Sequence, residues 1–191
     1  MEINTLKHIM LLDYHRYDRA CDGKRIFWGF IVFFRINSYC FSKSKTNKLF
    51  YPLFVFSFLF YQVVSHIYQI QIPSSGNIGG GIKFAHYSGI VVSASSKIGK
   101  NCTLHQNVTI GNGFSDNNMR GIIGDNVIIF PGAVIAGHVH VGSHSIITAN
   151  AVVTKDVPPN STVGGIPGRV IGVYDDTTFK ENGKKLYEVV S

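Results

Sequence analysis

The chain has 191 residues, of which 45% are apolar and 15% carry a formal charge. This composition excludes a disordered tail and fits one domain, or one domain with a small companion. The three cysteines are an odd number without CxxC spacing, which excludes a disulfide framework and a zinc ribbon and favours a reducing cytoplasm.

The first third, residues 1–69, is basic and rich in phenylalanine. It holds 9 Lys and Arg against 4 Asp and Glu, a net charge of +5, and 10 of the 14 Phe. We expect a small N-terminal α-helical region here, which either packs an aromatic core under a solvated basic face or meets a membrane surface or an anionic substrate. Nucleic acid is not an expected partner.

Residues 49–64 form an apolar run that carries Pro52. A helix that spans a bilayer needs about 20 residues, so this run predicts a buried or interfacial helix. The N-terminus lacks the pattern of a signal peptide. We therefore expect a cytoplasmic protein, and a contact of residues 1–69 with the inner face of the cell membrane is a further expectation.

From residue 72 an apolar anchor returns every six positions, with a slip after residue 84 and a longer excursion after residue 110. The anchors are Ile72, Ile78, Phe84, Val92, Ile98, Leu104, Ile110, Ile123, Ile129, Ile135, Val141, Ile147 and Val153. Helices repeat at 3.6 residues and strands at 2, whereas a period of six fits a short strand and a turn that form one side of a triangular prism. Three hexads then close one coil, and coils stack about 4.8 Å apart.

The repeat predicts a mainly β fold, a parallel β-helix over residues 70–173, with a polar tail at 174–191. The anchors point inward, and the residue four positions after each anchor is small or aliphatic because it lies near a corner. Several coils are needed to bury this core, and the hexads supply a little over four.

Three stretches carry a family resemblance. They are IGGGIKFAHYSGIVV at 78–92, NVTIGNG at 107–113 and VGGIPGRVIG at 163–172. On these the chain resembles the hexapeptide-repeat acyltransferases, in particular the serine acetyltransferase branch and its relatives that acetylate bacterial surface sugars. The resemblance implies a left-handed β-helix, an exception to the right-handed crossover rule. It also implies acetyl-CoA as co-substrate, no metal, and a homotrimer whose active site lies between subunits.

Folding the hexads into coils stacks four anchors on one face, and the residues two positions after them form an outward column. These residues are His86, Gln106, Pro131 and Ala149. His86 is the predicted general base, because an imidazole titrates near neutral pH and the resemblance places it on the family's catalytic histidine. We expect the other histidines of the β-helix to lie on the surface: His105, His138, His140 and His144. A zinc site like that of β-helical carbonic anhydrases is disfavoured, because these histidines fall on different faces.

The chain departs from serine acetyltransferases beside the predicted base. Gln71 stands where the family has an aspartate that orients the histidine, and an amide cannot stabilise an imidazolium by charge. Asp13 and Asp18 are therefore candidate supporting acids. Arg120 falls near the place of a family histidine that holds the serine carboxylate. These departures favour a hydroxyl of a bacterial surface-polysaccharide sugar as acceptor, bound by Gln106 and Arg120.

By resemblance, coenzyme A is held by Gly111, Asn112, Pro131, Gly132 and Ala149 along the pantetheine arm. Lys155 and Arg169 are the expected phosphate contacts. The excursion at 111–121 is expected to close over the site. Two alternatives stay open: serine O-acetylation in cysteine biosynthesis, and a non-catalytic trimeric scaffold in a glycan assembly complex.

Overall fold

The computed structural model describes residues 3–18, 24–111 and 121–173. Three helices come first, followed by a stack of short strands. The helices are α1 (Ile3–Asp18), α2 (Lys24–Thr46) and α3 (Tyr51–Tyr68), with a 3₁₀ turn at Lys48–Phe50 between the last two. The helices α2 and α3 form a hairpin, and Pro52 lies in the first turn of α3, where a missing backbone N–H costs nothing.

The strands form the three sides of a prism. One side contains β1 (Ile70–Gln71), β4 (Ile90–Val92), β7 (Thr109–Gly111), β10 (Val134–Ala136) and β13 (Val152–Val153). The second contains β2 (Asn77–Ile78), β5 (Lys97–Ile98), β8 (Ile122–Ile123) and β11 (His140–Val141). The third contains β3 (Lys83–Phe84), β6 (Thr103–Leu104), β9 (Ile128–Ile129), β12 (Ile146–Ile147), β14 (Ser161–Gly164) and β15 (Arg169–Val173). Neighbouring strands are parallel, except that β15 pairs antiparallel with β14.

The six-residue repeat corresponds to one side of this prism, as predicted. On the second side Ile78 pairs with Ile98, Ile98 with Ile123, and Ile123 with Val141. Every predicted anchor is at most 7% exposed, and the anchors join one continuous apolar core. The small residues four positions later, such as Cys102 and Ala133, are fully buried beside the corners.

Glycine follows several anchors because the backbone of the next coil passes very close to it. A Cβ on Gly99 would lie 2.5 Å from the Gly124 carbonyl oxygen, and one on Gly124 would lie 2.6 Å from the Ser143 amide nitrogen. Other corners turn through a residue with positive φ, and asparagine is common there, as at Asn101 (φ 55°) and Asn126 (φ 56°). Asparagine tolerates this left-handed conformation better than most residues.

Side chains of the helices occupy the lower edge of the first coil. The Arg35 guanidinium donates to the carbonyls of Ile78 (2.7 Å) and Gly79 (2.6 Å), and the Tyr61 hydroxyl donates to the carbonyl of Ile72 (2.6 Å). Phe30 of α2 packs edge-on against the anchor Phe84, with ring centroids 5.6 Å apart. The helices thereby extend the core downward and bond backbone groups that no further coil covers.

Helix α3 has one buried and one exposed face. Of its residues only Tyr61 and Ser65 are buried. Residues Lys48–Tyr68 are long and apolar enough to cross a membrane by length and composition alone, and 11% of the apolar window is buried. The prediction of a buried helix is therefore wrong for α3, and the interfacial alternative remains.

Candidate active site

His86 lies at an exposed corner between β3 and β4. The corner is fixed from both sides, because the Ala85 amide donates to the Leu104 carbonyl (2.9 Å) and the Ser88 amide donates to the Tyr68 carbonyl (3.1 Å). No described residue hydrogen-bonds the His86 imidazole. The ring is therefore open to solvent and can approach a hydroxyl brought to this corner.

The predicted outward column is present in the backbone register. Phe84 pairs with Leu104, Leu104 with Ile129, and Ile129 with Ile147, which sets the residues two positions later above one another. The Gly132 amide donates to the Gln106 carbonyl (3.1 Å), and the Asn150 amide donates to the Pro131 carbonyl (2.9 Å). His86, Gln106, Pro131 and Ala149 therefore follow one another up one corner of the prism.

Gln106 lies directly above His86 in this column, and its side-chain oxygen has no hydrogen-bond partner among the described residues although it is buried. Buried polar atoms are nearly always paired. The side-chain oxygen of Gln106 is therefore an unsatisfied acceptor in the coil above His86.

The upper part of the column is smooth and lined by backbone. Gly132 has a φ of +72°, and a Cβ there would collide with the Asn150 side-chain oxygen. The segment stacked above Ala149 contains Gly164 and Gly165, because the Thr148 amide donates to the Val163 carbonyl and the Val152 amide donates to the Gly165 carbonyl. This surface suits a narrow chain of amides and methylenes.

The structure describes three of the remaining predicted cofactor residues, namely Gly111, Lys155 and Arg169. Gly111 ends β7, Lys155 is exposed in the turn after β13, and Arg169 is exposed at the start of β15. Asn112 and Arg120 lie outside the described residues, as do residues 174–191.

His105 is buried, so the expectation that it lies on the surface is wrong. Its side chain is 4% exposed and stacks on Phe130, with ring centroids 5.0 Å apart. The His86 ring lies 6.0 Å away on the other side. Burial, together with Coulomb repulsion from the His86 and Lys83 side chains, lowers the pKa of His105 to about 4, so the His105 imidazole is neutral at pH 7.

Lys83 adds positive charge near this corner. It directly precedes the anchor Phe84, and burial together with the Arg16 charge lowers its pKa. Arg16 reaches down from α1 and donates to the Asn101 carbonyl (3.0 Å) and the Thr103 hydroxyl (3.2 Å). The nearby Asp13 carboxylate is bonded to Arg35 and to two backbone amides, and no described carboxylate pairs with Lys83. Sequence reasoning missed Lys83, although its place three residues before His86 marks it.

Of the two candidate supporting acids, the structure describes the side chain of Asp13 alone, and this side chain does not bond His86. Asp13 is 0% exposed, and its two oxygens accept from the Arg35 guanidinium (2.8 and 3.2 Å) and from the amides of Gly81 (2.7 Å) and Ile82 (3.0 Å). These hydrogen bonds of Asp13 hold the helices to the first coil. Asp18 ends α1, and its side chain lies outside the described residues.

Gln71 is exposed on β1 and lines a groove of about 820 Å³ between α3 and the first side of the prism. Gly89 and Val91 line the same groove, but His86 does not. Gln71 makes no described hydrogen bond to His86. The groove and the predicted base therefore lie on neighbouring surfaces, and a closed site around His86 is not formed by the described residues alone.

Among the residues that the structure describes, His138, His140 and His144 form no metal site. His138 and His140 are exposed, and the ring of His144 hydrogen-bonds the Asn126 amide nitrogen (2.9 Å). Within the described ranges, no three His, Cys, Asp or Glu side chains come together in a way that could hold a metal ion.

Comparison with known proteins gives the chain a family context. Residues 121–155 match the family described as bacterial transferase hexapeptide (six repeats). The serine acetyltransferase of Mycobacterium tuberculosis is 38% identical over 104 residues, which cover 54% of this chain and 45% of that protein. The serine acetyltransferase of Staphylococcus xylosus is 34% identical over 134 residues, or 70% of this chain and 58% of that protein. This chain is similar to the serine acetyltransferases.

Solved structures agree with this likeness. The serine acetyltransferase of Brucella abortus strain S19 superposes with a TM-score of 0.77 at 27% identity, over 91% of this chain and 71% of that one. The same enzyme in complex with coenzyme A gives a TM-score of 0.76 at 27% identity, over 91% and 70%. The predicted fold, a left-handed parallel β-helix with N-terminal helices, is confirmed, as is the resemblance to hexapeptide-repeat transferases of the serine acetyltransferase branch. The chain spans about half the length of the curated relatives it matches.

The same comparisons correct the predicted acceptor. These curated relatives and solved structures are serine acetyltransferases. The interpretation of the chain as a polysaccharide sugar O-acetyltransferase is therefore wrong, and it is the serine alternative that the comparisons support. The inference failed because it took Gln71 and Arg120 as evidence about the acceptor, whereas Gln71 makes no described hydrogen bond to His86 and Arg120 lies outside the described residues.

Proposed function

We propose that this chain is an acetyl-CoA-dependent serine O-acetyltransferase. The observation that carries the proposal is the exposed His86 at the base of a smooth, backbone-lined column, within a fold similar to serine acetyltransferases. One such relative is described in complex with coenzyme A. Acetyl-CoA is the expected co-substrate, with its pantetheine arm along Pro131, Gly132 and Ala149.

The proposed reaction is a direct transfer. His86 takes the proton from the serine hydroxyl as its oxygen attacks the thioester carbonyl of acetyl-CoA. The tetrahedral intermediate then collapses, the carbon–sulfur bond breaks, and His86 returns the proton to the leaving thiolate. The products are O-acetylserine and coenzyme A.

A covalent acetyl-cysteine is disfavoured by the environment of Cys102. The side chain is 0% exposed, and its thiol contacts the Gly124 carbonyl at 3.1 Å. Burial raises the pKa of Cys102 to about 11, so the nucleophilic thiolate is scarce at neutral pH. The acetyl group is thus expected to pass straight from sulfur to the acceptor oxygen.

Positive charge beside His86 favours an acceptor that carries a carboxylate, as serine does. The Lys83 ammonium is close enough to lower the pKa of His105, and no described carboxylate pairs with it. A carboxylate on the acceptor would pair with Lys83 while its hydroxyl faces His86. Lys83 is therefore proposed as the residue that holds the serine carboxylate.

A homotrimer is part of the proposal. His86 stands on an open corner, and the groove at Gln71 does not include it. A neighbouring subunit against this corner would exclude water and supply the missing wall of the site.

The first test is thiol release from acetyl-CoA in the presence of L-serine. His86→Ala should lower turnover by about 10²–10⁴, the contribution of a general base. His138→Ala, an exposed histidine on another corner, is the matched control and should keep full turnover. Undiminished turnover of His86→Ala, or no release by the wild type with serine, would overturn the proposal.

A second test separates the acceptor from the cofactor. Lys83→Gln should raise the KM for serine several-fold and leave the KM for acetyl-CoA unchanged. Lys97→Gln serves as control, because Lys97 also directly precedes an anchor but lies on the second side of the prism. A rise in the KM for acetyl-CoA alone would assign Lys83 to coenzyme A instead.

A further inference from the structure

The exposed face of α3 is a continuous apolar surface. Its members recur every three or four positions and lie opposite the buried residues Tyr61 and Ser65. We call it the outer α3 face and define it by Leu49 of the preceding 3₁₀ turn (83% exposed) and, in α3, by Leu53 (50%), Phe56 (62%), Leu59 (60%), Phe60 (50%), Val63 (60%) and Ile67 (68%). Large apolar side chains at this exposure and density are unusual for a surface in contact with water.

This surface continues onto α2. Phe33 (37% exposed) stacks on Phe60 with ring centroids 6.3 Å apart, and Ile36 (38% exposed) lies one turn further along α2. On the other flank Val55 is also exposed. A seam for one partner helix is narrow and flanked by charged residues. The outer α3 face is broader and has apolar flanks, which fits a fluid apolar medium better than a second helix.

The charge around the outer α3 face has one sign. Lys43, Lys45 and Lys48 lie at the tip of the α2–α3 hairpin, beside the most exposed leucine, Leu49. The Lys45 ammonium lies 4.4 Å from the centroid of the Phe41 ring, so cationic and aromatic surfaces are contiguous. Because no Asp or Glu occurs between residues 23 and 115, a second copy of this segment would bring no carboxylate to these lysines.

Anionic lipid headgroups would supply the negative charge that these lysines lack. A helix with an apolar face and lysines at its edge lies in the plane of a bilayer, with the apolar face among the acyl chains and the cations at the phosphates. An upright crossing does not fit, because the Ser65 and Tyr61 side chains bond the carbonyls of Ile70 and Ile72 and hold the opposite face of α3 on the β-helix. At about 1.5 Å per residue, the 18 residues of α3 would lie along about 27 Å of surface.

We propose that the outer α3 face binds the surface of a bilayer that contains anionic lipids, with Lys43, Lys45 and Lys48 on the headgroups. This attachment does not depend on the acetyl transfer proposed above. It would hold the β-helix, and His86 with it, at the membrane surface.

The experiment is co-flotation of the full chain with phosphatidylcholine vesicles, prepared with and without phosphatidylglycerol. The wild type should float only with the phosphatidylglycerol vesicles, and added salt should weaken the binding. Phe56→Gln/Val63→Gln should abolish flotation. The matched control is Ile171→Gln/Val173→Gln, which changes two equally exposed apolar residues of β15 and should leave flotation intact.

Replacing all three lysines of the hairpin tip by Gln should weaken partitioning about a hundredfold, at about fivefold for each lysine near an anionic surface. Lys97→Gln/Lys100→Gln on the second side of the prism should have no effect. Circular dichroism of every variant establishes that it is folded, and thiol release from acetyl-CoA reports the proposed enzymatic function separately.

Three results would overturn the proposal. If the wild type stays at the bottom of the gradient with both kinds of vesicle, the outer α3 face does not bind a bilayer. Equal flotation on phosphatidylcholine alone, unaffected by the lysine changes, removes the anionic partner. An oligomer in sedimentation that Phe56→Gln/Val63→Gln dissociates, without flotation of the wild type, assigns the outer α3 face to a second copy of this chain.

Discussion

The buried His105 should make the stability of the protein depend on pH. Its pKa is lowered from 6.5 to about 4 in the folded protein. As the pH falls through this interval, the unfolded chain takes up a proton that the folded chain does not, so the free energy of unfolding decreases. A shift of this size corresponds to about 3 kcal/mol at full effect. This contribution is present above pH 6.5 and is lost progressively towards pH 4.

The perturbation is His105→Phe, which keeps an aromatic ring on Phe130 and removes the titrating group. Urea unfolding at one fixed protein concentration, followed by circular dichroism at pH 7 and at pH 4, measures the free energy of unfolding of both proteins. The wild type should lose about 3 kcal/mol more than the variant between the two pH values. The exposed His138→Phe is the control and should follow the wild type.

Equal losses in the wild type and in His105→Phe would refute the reasoning, because the burial of the imidazole would then have no energetic consequence. A smaller but measurable difference would give the true displacement of the His105 pKa.

Three further experiments test how the coils and their cap are held. Asp13→Asn leaves the buried Arg35 charge unpaired and should lower the free energy of unfolding in urea by about 3–5 kcal/mol. This loss should exceed the loss caused by the double change Asp13→Leu/Arg35→Met, and an equal loss would contradict the role of the ion pair. Gly99→Ala should lower the melting temperature in calorimetry by the equivalent of about 1–3 kcal/mol because its Cβ has no room, whereas Gly172→Ala, with no atom closer than 3.9 Å, should not. Cys102 should resist alkylation by iodoacetamide at pH 8 in the folded protein and react in urea, as mass spectrometry of its peptide would show; rapid labelling without urea would contradict its burial.

The fold could be predicted from the sequence because the hexad is a local rule with a single geometric solution. An anchor such as Ile98 must point inward. It pairs with Ile123 of the next coil, so the excursion between them leaves the strand register unchanged. The column from His86 to Ala149 followed from the same arithmetic. Each of these positions depends only on the coil directly above or below.

The failures concern residues whose environment comes from another element. His105 follows an anchor, a position that normally faces out, but Phe130 of the next coil covers it. Asp13 is an acid in a helix, and only the docking of that helix beneath the first coil shows that Arg35 and two amides occupy it. The run at 49–64 has the same composition whether buried or exposed, so composition could not settle the position of α3.

The contacts of the helices beneath the first coil determine the length of the fold. A stack of parallel coils has no intrinsic end, and each open edge is a template for another chain. Here Arg35 and Asp13 hydrogen-bond backbone groups at the lower edge. At the top of the third side β15 pairs antiparallel with β14, at the place where a further parallel strand would otherwise pair. A chain that lost either end would expose an open strand edge to other copies of the chain. The same hexads that build one short prism would then build a fibre.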